Sequence, residues 1–204
     1  MPEADLTARQ LDLIARIAAL RPAPWFMGGY AEDALLSGSL TRPHEDVDVI
    51  FPRQREQLHM SQLAQLGFTE WETWGEAAPG VPFYLFGQSG DLKVDVGLLD
   101  QVGGENWMRV HRLAFTVGGE EAAAGYQLRL PDDTLNHPPV ALEGIEVSPL
   151  SPLALYQMRA GVARRNSFGP LSDRQLATMA ELRERFFPDL SDADLMPPEE
   201  PLPR

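Results

Sequence analysis

The sequence has no cysteine. That excludes disulfides, thiolate zinc sites and cysteine nucleophiles. It also lacks any apolar run approaching the ~18 residues of a membrane span. Its acidic start, Met1-Pro2-Glu3-Ala4-Asp5, is not followed by the basic-then-apolar pattern of a secretory signal. A cytoplasmic protein with no membrane partner is therefore expected. Basic residues are few: 17 Lys and Arg stand against 30 Asp and Glu, a formal net charge of −13. Nucleic-acid binding needs clustered Lys and Arg to displace counterions from phosphates, so nucleic acid is not an expected partner. The acidity suits a cationic small molecule, or a site where metal ions supply the positive charge. Solubility alone would account for it equally well. With 204 residues, 44% hydrophobic and 23% charged, the chain can bury a substantial core unaided.

Capping-box spacing of Thr7 and Gln10, followed by Leu13, Ile14, Ile17 and Leu20 at helical intervals, predicts a first helix over 7–20. Trp25-Phe26-Met27 reads as a short buried strand entering Gly28-Gly29, and a short helix then runs to Leu36 and stops at Gly38. A polar loop leads into a strand over 46–51, and a helix over 53–66 follows, ended by Gly67. Residues 82–86 and 92–96 read as a hairpin around a loop at 87–90, with extended pieces at 113–117, 126–130 and 140–147. Gly103-Gly104 and Gly118-Gly119 read as loop turns. Ser151-Pro152 opens another helix with Leu155, Met158 and Val162 on its inner stripe. Ser172 and Gln175 cap a last helix whose buried face is Leu176, Met179, Ala180 and Phe187. Beyond Pro188 the acidic, proline-rich composition predicts a disordered tail over 189–204.

The informative stretch is 25–51: strand, Gly-Gly, helix, loop, then a strand beginning Asp46-Val47-Asp48. Alternation along a strand puts Asp46 and Asp48 on one face and Val47, Val49 and Phe51 on the other. Adjacent carboxylates repel unless a cation lies between them, and oxygen ligands without cysteine favour Mg²⁺ or Mn²⁺ over zinc. A Gly-Gly turn at a helix N-terminus offers bare backbone N–H groups to phosphate. Together these parts read as a nucleoside triphosphate (NTP) held by metal on one side and by amides on the other. Each part alone is also an ordinary turn or a solvated strand face; their order along the chain, with Asp95 downstream, carries the reading.

That order resembles the nucleotidyltransferase superfamily that includes DNA polymerase beta, and within it the aminoglycoside and lincosamide nucleotidyltransferases. The likeness rests on Gly28-Gly29-Tyr30, Asp33, Arg42-Pro43-His44-Glu45-Asp46-Val47-Asp48 and Asp95 in Lys93-Val94-Asp95-Val96. It extends weakly to Ser151-Pro152-Leu153 and Tyr156-Gln157-Met158-Arg159, where Arg159 stands at the place of a triphosphate-contacting Lys. Ser172-Asp173 replaces a Lys-Asp pair common before the last helix. The resemblance implies that Asp46, Asp48 and Asp95 are catalytic and metal-ligating, with Asp95 also helping to remove the acceptor proton. It implies that Gly28, Gly29, Arg42, His44 and Arg159 hold the triphosphate, with Asp33 either bracing the helix or meeting substrate.

The expected fold is α/β (α+β): a small mixed sheet carrying the carboxylates, backed by helices, with a core domain over 1–148 and a C-terminal helical segment over 149–188. The expected reaction moves a nucleoside monophosphate from an NTP to a hydroxyl of a small molecule, cationic or polyhydroxylated. An aminoglycoside- or lincosamide-like antibiotic is one such acceptor. Trp71, Trp74 or Trp107 are candidates to line the acceptor cleft, and Glu70, Glu72 and Glu76 to attract a polycation. The rival readings are a nucleotidyltransferase acting on RNA or a protein, and a non-catalytic nucleotide-binding relative.

Overall fold

A computed structural model describes residues 2–78, 81–111, 115–117, 120–122, 125–165 and 170–201; side chains are described within these spans except at 2–4, 74–83, 110–125, 165 and 201. In chain order the elements are α1 (Pro2–Ala18), β1 (Trp25–Phe26), α2 (Gly28–Leu36), β2 (Val47–Pro52), α3 (Glu56–Gln65), β3 (Trp71–Ala78), β4 (Val81–Ser89) and β5 (Leu92–Val102). They continue with β6 (Glu105–His111), β7 (Phe115–Val117), β8 (Glu120–Ala122), β9 (Gly125–Leu130), β10 (Val140–Leu142) and β11 (Ile145–Val147). The chain ends in α4 (Pro152–Arg165), α5 (Asp173–Phe186), α6 (Asp192–Leu195) and β12 (Glu199–Pro201). The main sheet runs β1-β2-β5-β6-β9-β12, with β4 also on β5 and β3 on β4. It is mixed, as expected: β2 and β5 are parallel, and the other described pairings within it are antiparallel.

Strand alternation sorts the chemistry. Val47, Val49, Val94 and Val96 are fully buried, and their neighbours Asp48 and Asp95 therefore project from the opposite face. Leu13, Ile14 and Ile17 bury the inner stripe of α1 against this core. β1 lies between β2 and the segment 148–150: Phe26 accepts the Leu150 amide and donates its own to Ser148. That seam brings the start of α4 beside the start of α2, although more than a hundred residues separate them.

Several elements depart from the sequence expectation. The first helix begins at Pro2, so Gln10 is mid-helical and buried and closes no capping box. Gln88 and Ser89 belong to β4, and the hairpin turn is only Gly90-Asp91. β3 and β6 were not foreseen; Gly103-Gly104 is the two-residue turn between β5 and β6. Gly118-Gly119 lies outside the described residues. In α5 the Ser172–Gln175 capping box forms fully, but Leu176 is 52% exposed, and Leu182 and Phe187 make the buried contact.

The expectation of a disordered tail over 189–204 fails for 189–201. Ser191 and Asp194 form a capping box for α6, Arg183 pairs with Asp192, and β12 pairs with β9. Leu195 is buried against Leu182 and Phe187, a contact of about 2 kcal/mol. Composition alone pointed to disorder; one well-placed leucine and an edge strand that tolerates Pro201 supply the order.

Candidate active site

The register of the parallel pair sets Asp48 directly opposite Asp95. Asp46, just before β2, lies close enough to Asp95 to raise its carboxyl. Burial pushes the Asp48 carboxyl well above the ordinary range, and Asp46 and Asp95 add to it. Asp95 is pushed up to about 7, by burial first and then by Asp46. Asp46 is raised by burial and Glu45, against the pull of Lys93, His44 and Arg42. Three clustered hard-oxygen donors, each pushed up by burial and neighbouring acids, suit a divalent cation. Among the described residues, no three acidic or histidine side chains stand in ready chelating geometry.

Facing the carboxylates is the start of α2. Gly28 has φ +62, and a Cβ there would fall 1.9 Å from Asp48 Oδ2. A Cβ on Gly29 would fall 2.2 Å from His44 Nδ1 and 2.9 Å from Arg42 Nη2. Only glycine lets the backbone come so close at either position. The N-cap residue, Met27, makes no side-chain cap, so the first-turn amides of α2 have no capping acceptor at the positive end of the helix.

The loop 41–45 completes this side of the site. Asp33 accepts from the Thr41 hydroxyl at 2.5 Å, from the Thr41 amide at 3.1 Å and pairs with His44 Nε2 at 2.8 Å. Burial alone would raise the Asp33 carboxyl, but these hydrogen bonds outweigh it and hold it below the usual range. Asp33 thus braces the loop and does not line the cavity. Gln10, which the sequence reading spent on a cap, donates to the His44 carbonyl and accepts from the Tyr30 hydroxyl, while the Tyr30 ring rests on His44. Arg42 makes no hydrogen bond or ion pair among the described residues.

All eight sequence candidates (Gly28, Gly29, Arg42, His44, Asp46, Asp48, Asp95 and Arg159) line one cavity of about 450 Å³. Arg159 is not free there: its guanidinium is paired with Glu32, a buried residue the sequence reading did not single out. Burial pushes the Glu32 carboxyl upward even with Arg159 beside it. The far wall is apolar, formed by Tyr84, Phe86, Met108, Leu155, Met158 and Val162. Of the expected tryptophans, Trp71 and Trp107 do not line it. Trp71 packs over Gly87 and donates to the Phe68 carbonyl, Trp107 is buried elsewhere, and the side chain of Trp74 lies outside the described residues. Glu70 and Glu72 are exposed away from the cavity, and the side chain of Glu76 is also outside the described residues. Phe86 was findable in principle, because it sits opposite Asp95 in the β4–β5 register.

A family model described as aminoglycoside-2''-adenylyltransferase matches residues 11–81, a span that holds Gly28, Gly29, Arg42, His44, Asp46 and Asp48. No curated protein matches the chain. Two solved structures of the antibiotic-resistance factor ANT(2'')-Ia share its fold. A solution structure described as showing substrate-regulated conformation dynamics has a TM-score of 0.59 at 19% identity, over 92% of this chain and 88% of that one. A crystal structure in complex with adenylyl-2''-tobramycin has a TM-score of 0.58 at 19% identity, over 87% and 88%. The family match covers about a third of the chain, and the two structures show a likeness of fold over most of it.

Proposed function

We propose that the chain transfers a nucleoside monophosphate from an NTP to a hydroxyl of an aminoglycoside-like acceptor, releasing pyrophosphate. The observation that carries this reading is the single cavity in which three clustered carboxylates face an uncapped helix N-terminus and Arg42, unpaired among the described residues. The matched family and the adenylyl-tobramycin complex of ANT(2'')-Ia support adenylyl transfer, with ATP as donor and an aminoglycoside as acceptor.

In this reading Gly28 and Gly29 offer backbone amides to the phosphates, and Arg42 and Arg159 neutralise their charge. His44, fixed by Asp33 at Nε2, turns Nδ1 toward the same place. The acceptor oxygen attacks the α-phosphorus, the bond to the β-phosphate oxygen breaks, and the hydroxyl proton passes to Asp95. Burial and Asp46 raise this carboxyl to about 7 in the metal-free site; a bound cation would lower it and leave a carboxylate oxygen to take the proton. Asp46, Asp48 and Asp95 would hold Mg²⁺ or Mn²⁺, which when bound would offset the charge of the phosphates and the carboxylates. Glu32, Glu45 and the carboxylates leave the cavity acidic enough for an ammonium-bearing acceptor. Residues 1–148 would form the transferase core and 149–188 its helical partner. Among the described residues, no helix is long and apolar enough to cross a membrane; a cytoplasmic setting, where NTPs abound, completes the proposal.

The test is a pyrophosphate-release screen of the four NTPs with Mg²⁺ against aminoglycosides, lincosamides and neutral polyols. Release that depends on a cationic aminoglycoside is the expected result. Release with no acceptor requirement, or none under any condition, would remove the reading.

A further inference from the structure

The Glu32–Arg159 pair lies inside the cavity, yet phosphate binding as described uses only the arginine. The partners come from α2 and α4, 127 residues apart, and meet because the 148–150 segment runs beside β1. Arg159 Nε donates to Glu32 Oε1 at 2.8 Å, and Nη2 donates to the same oxygen. The third nitrogen, Nη1, has no partner among the described residues. The side chains are 5% and 14% exposed, so solvent screens neither charge well.

We propose that Glu32 is a positioning residue: it grips one edge of the Arg159 guanidinium so that the opposite edge is presented to the nucleotide phosphates. This rests on the nucleotide reading above. Arginine suits the task because its five donors form a rigid planar fork that can serve two anions on different edges. A lysine has one nitrogen. Beside a buried carboxylate its ammonium would be captured, leaving less charge for the phosphate. Glu32 and Arg159 therefore act as a unit, and the choice of arginine at 159 depends on the acid at 32.

Calorimetry of Mg²⁺ with tripolyphosphate, and of Mg²⁺ with ATP, tests this on the wild type, Arg159→Lys, Glu32→Gln and the double variant, each first checked for an intact melting transition. Arg159→Lys is expected to weaken both ligands by about tenfold or more, the worth of one charge-assisted hydrogen bond. Adding Glu32→Gln releases the lysine and brings affinity back to within about threefold of the wild type. A purely structural ion pair predicts the opposite coupling. Lysine would then be tolerated beside Glu32, and the double variant, with its lysine buried and unpaired, would be the weaker; that pattern overturns the proposal. Should Arg159→Lys not fold, Glu32→Gln decides alone. Weakening of both ligands by about threefold or more supports positioning, whereas unchanged or tighter affinity means that Arg159 needs no grip or that Glu32 competes with the anion, and overturns it. A wild-type protein that binds neither ATP nor tripolyphosphate removes the nucleotide reading itself, and this inference with it.

Discussion

Asp48 and Asp95 are register partners across the parallel strand pair β2–β5 of the main sheet. Neighbouring strands lie roughly 4.8 Å apart, so two like charges from different parts of the chain are forced together. The arrangement costs stability when the site is empty, and a bound cation relieves the repulsion.

In the proposed reading the two positions divide binding from chemistry. Asp46 and Asp48, on one stretch of chain, would anchor what travels with the triphosphate, and Asp95, on the next strand, would meet the acceptor. Asp95→Asn keeps the size and loses the charge and the proton-accepting oxygen. Turnover is expected to fall by about 10²-fold or more while metal–NTP affinity stays within a few-fold. Single-turnover kinetics beside equilibrium binding reads both; an unchanged rate in a folded variant would reassign the base.

Gly29 is a sharper structural test. A methyl group there would overlap His44 Nδ1 and press on Arg42. Gly29→Ala should leave the sheet intact, lower the melting temperature, and weaken NTP binding by about tenfold or more through displacement of the two side chains. NTP affinity equal to the wild type would show that neither side chain contributes to the phosphate site as placed.

The brace behind His44 carries a pH signature. Asp33 titrates lower in the folded chain than in the unfolded one. Its contribution is therefore complete above the unfolded-state value of about 3.9, and is lost as pH falls through the lower folded value. Asp33→Asn should cost about 2 kcal/mol at neutral pH and flatten the acid limb of the stability curve. Urea midpoints between pH 3 and 7, of about ten conditions, would expose the difference. An acid limb unchanged in the variant would mean that Asp33 does not drive it.

His59 gives a second, separate limb. It is buried, stacked on Phe51 with ring centroids 4.5 Å apart, and burial pushes its pKa below the ordinary value. Below about pH 6.5 the unfolded chain takes up a proton that the folded ring resists. Stability should then fall with pH by at most about 1.4 kcal/mol per unit from this group. His59→Leu should remove that slope and cost little at pH 7.5. An identical slope in the variant would place the titration elsewhere.

How much of this was legible in the sequence depends on how local the cause was. Gly28-Gly29 and Asp46-x-Asp48 announce themselves because the chemistry needs those residue types in one order over a short span, and one turn and one strand place them. Asp95 was legible because the period of two on β5 left it opposite the valines. The pairing of Glu32 with Arg159 was not, since it depends on residues 148–150 running beside β1, although Arg159 itself was reached through the resemblance. Gln10 misled for a related reason: its capping-box spacing was real, but the helix starts five residues before Thr7, and the amide is spent on the His44 loop instead. The apolar wall from Tyr84 and Phe86 required the β4–β5 register, and the ordered tail required knowing which pocket Leu195 would find.

The central claim is that this cavity joins a nucleoside monophosphate to an aminoglycoside hydroxyl. Mass spectrometry of tobramycin after incubation with the protein, ATP and Mg²⁺ tests it most directly, with the Asp46→Asn/Asp48→Asn double variant in parallel. The account predicts a tobramycin adduct of one adenosine monophosphate with the wild type, together with one equivalent of pyrophosphate, and no adduct with the variant. Unmodified tobramycin across the whole aminoglycoside and NTP panel, or an adduct formed equally by the double variant, would contradict it.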